Sequence, residues 1–344
     1  MSITSGTIPC TLLPGDGIGP EITAATLRVL DALGSPFQWH ECRAGAAAAE
    51  ELGDPLPQAV LDSIQSTRLA LKGPLTTPIG SGYRSVNVRL REAFQLYANL
   101  RPGRSLLPEG KFPDVDLVLV RENTGGFYVG VEHFIAIGDD PHAVAEATGI
   151  LTRENCRRIA EFTFDYALKH GRKKVTVVHK ANILKSLTGL FLETVHDVGR
   201  SYADNILLED RIVDNCAMQL VLNPAQFDVI LTTNMFGDIL SDEIAGLIGG
   251  LGLAPGANIG KDVAIFEAVH GSAPDIAGTG KANPSALLLS ACLLLEHCGL
   301  LEQGQRLRAA LVTTLAATDT RTADLGGALT TQEFTDAVIR NLES

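Results

Sequence analysis

The stretch LLPGDGIGPEI, residues 12–22, decides how this chain is read. An apolar run ends at Leu13, glycines stand at positions 15, 17 and 19, and Pro20 and Glu21 open a helical pattern, so the segment reads as strand, tight turn, helix. A dinucleotide fingerprint spaces its glycines G-x-G-x-x-G so that the third lets helix and strand pack closely. Here the spacing is G-x-G-x-G, and Pro20 takes the third glycine's place. The match to the fingerprint is weak, and a turn whose glycines supply positive φ is the better reading of the loop by itself.

The same alternation runs outward along the chain. Apolar runs at 11–13, 68–72, 115–120, 174–178 and 227–232 alternate with helical patterns at 21–33, 154–170 and 238–248. Strands that are apolar throughout belong to a parallel sheet covered on both faces, so the fold class is α/β. Residues 286–298 and 290–301 overlap as one long apolar helix, and 331–341 reads as a final amphipathic helix. The glycine-dense segment 246–260 is either a chain crossing between two lobes or a long turn.

With 344 residues, 45% of them hydrophobic, the chain fills one large domain or two ordinary ones. A net charge of −12 opposes nucleic acid and anionic membrane surfaces as partners but leaves room for a local basic cluster that holds a small anion. Six cysteines without a C-x-x-C pair suit reduced thiols, and a cytoplasmic location is expected. The first strand begins within about ten residues, so no secretory signal is expected. The most apolar stretch, 286–295, is too short to span a bilayer.

Five segments bear chemistry. In TTNMFGDILSDEIAG (232–246), Asp238 and Asp242 project from one helix face a turn apart. They read equally as complements of a helix dipole and as an oxygen-only site for Mg²⁺ or Mn²⁺. The segment 81–105 carries Arg84, Arg89, Arg91, Arg101 and Arg104, either a solvated basic face or a clamp for an anionic substrate; Ser85 and Asn87 add neutral donors from one side of an extended segment. Arg121 follows an apolar run, at the strand end where ligands bind in open α/β sheets, and Tyr128 comes after the flexible pair Gly125 and Gly126 as a proton donor or a structural hydroxyl. Lys180 and Asn182 lie just past another strand, where a desolvated lysine serves as acid or base and a solvated one does not. Finally, the small-residue loop with His270, Asp275 and Asn283 precedes a helix opened by Pro284 and Ser285. It suits a dinucleotide laid along its backbone, and Asp275 would bond a ribose and repel a 2′-phosphate.

Taken in order, GDGIGPE, KGPLTTP, LYANLRP, VRENT, HKANI, NMFGDILSD, GLIGGLGLAPGANIG and HGSAPDIAGTGKANP closely resemble the isocitrate/isopropylmalate/homoisocitrate family of β-decarboxylating dehydrogenases, from Leu12 to Leu342. The resemblance implies a two-lobed fold sharing a large mixed, mostly parallel sheet that is not a Rossmann fold. It implies a large cofactor-binding domain of residues 1–98 and 253–344, and a small domain of residues 99–252 with a dimer interface and clasp. Its reaction is metal-dependent oxidation of a 2-hydroxy-3-carboxy acid followed by loss of the β-carboxyl.

Residue by residue, the resemblance implies Tyr128, Lys180 and Asp214 as catalytic groups. Thr77, Ser85, Asn87, Arg91, Arg101, Arg121 and Asn182 would bind a tricarboxylate, and Asp238 and Asp242 would hold the metal together with a partner's copy of Asp214. Lys72, His270, Gly271, Ala273, Asp275, Ile276 and Asn283 would bind the cofactor. Because Lys180 and Asp214 act across subunits in the family, a homo-oligomer of at least two chains is implied. The Ser85/Asn87 pair resembles the isocitrate branch, and a short polar pair suits a third carboxylate better than an isopropyl group. Asp275 and Ile276 stand where NADP-dependent relatives carry Lys-Tyr, which favours NAD. Homoisocitrate oxidation and a catalytically silent regulatory subunit are the competing expectations. One departure is Gly125, where relatives carry an acidic residue; its loss is expected to loosen the loop bearing Tyr128.

Overall fold

The computed structural model describes residues 6–78 and 82–343. Ser81, the first residue of the arginine-rich segment, lies outside them. The chain forms two compact units, one of Met1–Phe94, Arg104–Pro113 and Ala245–Ser344, the other of Gln95–Gly103 and Asp114–Ile244.

The first unit opens with β1 (Ile8–Leu13), α1 (Gly19–Ala32), β2 (Phe37–Glu41), α2 (Ala46–Leu52), α3 (Gln58–Thr67), β3 (Leu69–Lys72) and α4 (Val86–Ala93). The opening loop is the expected strand-turn-helix: Gly15 and Gly17 take φ of 83° and 58°, and proline enters the first turn of α1. Ser85 and Asn87 depart from expectation. They stand on no extended segment, since Ser85 is the N-cap of α4 and Asn87 lies in its first turn, where a serine ahead of VNVRLREA starts a helix.

The second unit contains β4 (Ala98–Arg104), β5 (Asp116–Glu122), β6 (Gly126–Ile137), β7 (Asp140–Ile150), α5 (Arg153–Lys169), β8 (Lys174–His179), α6 (Leu187–Gly199), β9 (Leu207–Ile212), α7 (Val213–Leu222), β10 (Val229–Thr232) and α8 (Asn234–Ile248), whose last turn passes into the first unit. Strands β5, β10, β8 and β9 are neighbours in that order, all parallel. Leu117–Val120 and Val229–Leu231 are fully buried, as strands covered on both faces should be. β6 and β7 pair only with each other, as a two-stranded antiparallel ribbon.

The chain completes the first unit with β11 (Pro255–Ile259), β12 (Ala264–Ala268), α9 (Ser285–His297), α10 (Leu301–Ala316) and α11 (Thr331–Glu343). β2, β1, β3 and β12 run parallel, and β11 joins β12 antiparallel. The ten strands outside the ribbon belong to one large mixed, mostly parallel sheet. Residues Ser285 to Leu295 are all buried, so α9 is the core helix of its unit. The single long helix expected through 301 is two. Gly299 takes φ 79°, and the Leu300 N–H bonds back to the Leu295 carbonyl at 2.9 Å, closing α9 with a left-handed cap. The apolar pattern runs through the glycine and hides the break.

Candidate active site

In the second unit, strand β5 delivers Arg121 at its carboxyl end and β4 delivers Arg101; both are buried. Asn234, at the start of α8, accepts from Arg121 Nε at 3.0 Å and Nη2 at 2.7 Å, which aims the remaining Nη1 at Asp238. Arg101 is aimed the same way. Its Nε donates to Asn99 Oδ1 at 2.9 Å, while Nη1 reaches Ser241 Oγ at 2.5 Å, Asp238 Oδ1 at 3.3 Å and Asp242 Oδ1 at 3.9 Å. The Tyr128 hydroxyl donates to Asp238 Oδ2 at 2.6 Å, with the Arg121 guanidinium 5.2 Å from its ring centre. Two guanidiniums, a phenol and two carboxylates thus converge. The five side chains come from β4, β5, β6 and α8.

Asp238 and Asp242 point the same way, as their spacing predicts. Burial and the like charge of Asp238 raise the Asp242 carboxyl above the usual range, with Arg101 opposing. A pair of half-exposed carboxylates lacking sulfur or imidazole neighbours fits a hard divalent cation. Among the described residues, however, no group of three His, Cys, Asp or Glu side chains is placed to hold a metal ion. Asp214 therefore does not join Asp238 and Asp242 within one chain. It stands on the first turn of α7, exposed, in an ion pair with Lys180 that holds its carboxyl below the usual range. Lys180 follows β8, where Ala181 N–H donates to His179 Nδ1 at 3.0 Å and His179 Nε2 meets Asp210 at 3.2 Å, fixing the turn. Asn182 is exposed in that turn.

Tyr128 lies on β6, two residues into the ribbon, and not on a flexible loop. Nor is the segment before it loose. The buried Glu122 accepts from Thr124 N at 2.9 Å and Gly125 N at 2.8 Å, so an internal carboxylate ties the turn at Gly125.

In the first unit the arginine cluster divides. Arg84 pairs with Glu92 and Arg89 with Asp54, so both serve the surface around α4, while Arg91 turns inward. Its partner is Glu267, at 3.8 Å, which sequence reasoning missed; an acid inside the apolar strand β12 was the available signal. Lys72 is buried with Glu267 at 2.6 Å, and Asn258 donates to the same carboxylate at 2.6 Å. Thr77 donates to Ser85 Oγ at 3.3 Å, and among the described residues no side-chain bond caps α4, whose first N–H groups can serve an anion. Asn87 Oδ1 is buried without a hydrogen-bond partner among the described residues.

Burial would raise the Glu267 carboxyl, but Lys72, then Arg91, outweigh it and hold it at about 2, against an ordinary glutamate value of 4.5. Because the folded value is the lower one, the stabilisation is complete above pH 4.5 and drains away as the pH falls from there toward 2. Glu267→Gln should flatten that acid limb in urea midpoints measured across the range. It should also lower the midpoint at neutral pH, because Lys72 is left buried and unpaired.

Along the loop after β12, His270 Nδ1 lies 2.9 Å from the Gly271 carbonyl and its Nε2 is buried without a partner among the described residues; burial lowers the imidazole's proton affinity. Gly271 is exposed, Ala273 takes φ 38°, and Asp275 and Ile276 form a short 3-10 turn with the carboxylate outside. Asn283 caps α9 through Oδ1, 2.9 Å from Ser285 N, and donates to Asp324 at 3.0 Å. An open small-residue backbone with an orphaned ring nitrogen fits a nucleotide cofactor.

A convergent arginine–carboxylate–tyrosine cluster on an α/β fold suits a carboxylate-bearing substrate. Residues 9–338 match the isocitrate/isopropylmalate dehydrogenase family model, and the chain belongs to that family. It is 47% identical over 337 residues, 97% of this chain and 88% of the other, to a mitochondrial NAD isocitrate dehydrogenase catalytic subunit of Arabidopsis thaliana. A mitochondrial NAD isocitrate dehydrogenase regulatory subunit of Dictyostelium discoideum is 45% identical over 343 residues, 99% of this chain and 94% of the other. The crystal structure of isocitrate dehydrogenase from Methylococcus capsulatus superposes with a TM-score of 0.95 at 50% identity, covering 98% of this chain and 99% of that one. The mitochondrial relatives overturn the expected cytoplasmic location. The six cysteines are free, but free thiols report a reducing surrounding and not which compartment supplies it.

Proposed function

We propose that the chain catalyses oxidative decarboxylation of isocitrate to 2-oxoglutarate and CO₂ with reduction of NAD, and that it does so with a divalent metal. The observation that carries this is the convergence of Arg101, Arg121 and Tyr128 on Asp238. In the second unit Arg101 and Arg121 hold two substrate carboxylates; in the first, Arg91 is assigned as a carboxylate ligand by the family resemblance. A further carboxylate suits the hydroxyls of Thr77 and Ser85, the amide nitrogen of Asn87 and the N–H groups at the start of α4. Mg²⁺ or Mn²⁺ on Asp238 and Asp242 would supply Lewis acidity toward the substrate hydroxyl and the charge left by CO₂. Lys180 takes the hydroxyl proton, and Tyr128 returns a proton to carbon. NAD, as hydride acceptor, is assigned to the loop of Lys72, His270, Gly271, Ala273, Asp275, Ile276 and Asn283; the exposed Asp275 disfavours a 2′-phosphate.

We assign the active state to at least a homodimer. Leu207, Met218, Val221, Leu222 and Ile239 are large, apolar and exposed on β9, α7 and α8, and nearly the whole β6–β7 ribbon is exposed. Surfaces of this kind call for a partner. A silent regulatory subunit is the second reading, favoured by the Dictyostelium relative's name. Against it, the acid–base lysine is ion-paired with Asp214, the tyrosine is hydrogen-bonded to Asp238, and Asp242 lies within ion-pair reach of Arg101.

The test is NADH or NADPH formation by purified protein with Mg²⁺, giving isocitrate and homoisocitrate each with NAD and NADP. Isocitrate with NAD should exceed every other pair by about tenfold or more. A homoisocitrate preference would overturn the substrate assignment, and no turnover on any pair would favour the regulatory reading.

A further inference from the structure

We propose that the two carboxylates of the opening loop, Asp16 and Glu21, are positioning residues, each fixing a different binding loop of the first unit: Asp16 the substrate turn at Thr76 and Thr77, Glu21 the cofactor run 280–283.

Asp16 is buried, and its two oxygens face different elements. Oδ1 accepts from Ala46 N, the first residue of α2, at 2.9 Å, and Oδ2 accepts from Thr76 N at 2.8 Å. Thr76 is then held at every polar atom. Its carbonyl accepts from the Tyr83 hydroxyl at 3.1 Å, and its own hydroxyl lies 2.8 Å from Ser272 Oγ. The loop itself grips Ser272 too, through Ile18 N–H to the Ser272 carbonyl at 2.9 Å. Gly17 permits that approach, because a Cβ there would lie 2.0 Å from the same carbonyl oxygen. Gly45 makes room in the same way, as its Cβ would fall 2.4 Å from Asp16 Oδ2. Thr77, next in the chain, thereby meets Ser85 at a set distance.

Glu21 works one helical turn further on, toward a different segment. Its oxygens accept from Gly280 N at 3.3 Å and Ala282 N at 3.1 Å, and from the Thr331 hydroxyl at the start of α11. Thr331 N–H closes the ring on the Gly280 carbonyl at 2.9 Å. The residue that follows is Asn283, whose amide Ser285 and Asp324 orient. Each acid acts through the loop it holds.

The inference rests on the assignment of Thr77 and Ser85 to isocitrate and of 270–283 to NAD. Asp16→Asn leaves one amide oxygen for two N–H donors, so isocitrate KM should rise about tenfold while NAD affinity, read by calorimetry without substrate, falls by a smaller factor, since Thr76 reaches the cofactor loop only through Ser272. Glu21→Gln should do the reverse, weakening NAD by about tenfold at unchanged isocitrate KM. Both constants moving by the same factor in each variant, or only the melting temperature falling, would overturn the proposal. Should Asp16→Asn fail to fold, Tyr83→Phe frees the Thr76 carbonyl and must raise isocitrate KM alone; no rise overturns the proposal equally. A wild-type protein inactive on isocitrate would defeat the functional assignment instead, and the NAD titration would still distinguish the two variants.

Discussion

Lys180→Met should lower kcat by about 10²- to 10⁴-fold, the range a positioned acid–base group supplies, while leaving the melting temperature near wild type. Methionine keeps the length and apolar body of the lysine stem but has no nitrogen to take a proton. Stability should barely respond, because the ion pair lost among the described residues is the one to Asp214, whose carboxylate is exposed, and exposed pairs contribute little. The Asp214 carboxyl, now held low by Lys180, would return toward its ordinary value in the variant. Lys180→Arg should not restore turnover, since a guanidinium stays protonated at any working pH. Steady-state kinetics beside a thermal melt decide the matter: a methionine variant with near-normal rate removes Lys180 from the chemistry, and a collapsed melt makes it structural.

What the sequence revealed follows from periodicity and what it hid follows from distance. Strands β5, β8 and β10 were legible because a strand covered on both faces must be apolar throughout, and the opening loop because proline and glycine leave few backbone choices. The β6–β7 ribbon was not legible. Its residues are mostly exposed, so no buried face imposes an alternation, and Tyr128 was consequently placed on a loop. The arginine cluster could be counted but not sorted, because whether Arg84 or Arg91 turns inward depends on Glu92, eight residues from the first, and on Glu267, far along the chain from the second. Glu122 shows the same limit. A glycine in place of an acid at position 125 read as lost order, whereas a carboxylate three residues earlier supplies the acceptors.

A mixed dimer made from one Lys180→Met chain and one Asp238→Asn chain should recover about half of the wild-type activity, although each homodimer is silent. In such a dimer with shared sites, one site carries both substitutions and the other carries neither, so a single intact site survives. If each chain instead built its site alone, both sites would be broken and the mixed dimer would be as silent as its parents. The geometry favours sharing. Asp238 and Asp242 make a two-carboxylate set, no third acid of the same chain joins them among the described residues, and the Lys180–Asp214 pair presents its carboxylate to solvent. Ile239 stands exposed between the two α8 carboxylates, on a helix whose outward apolar residue would otherwise meet water beside a charged site. Purifying the mixed species through two different tags, then assaying it beside both parents, reads the result directly; activity in either parent would void the comparison, and silence in the mixed dimer would assign Lys180 and Asp238 to one chain.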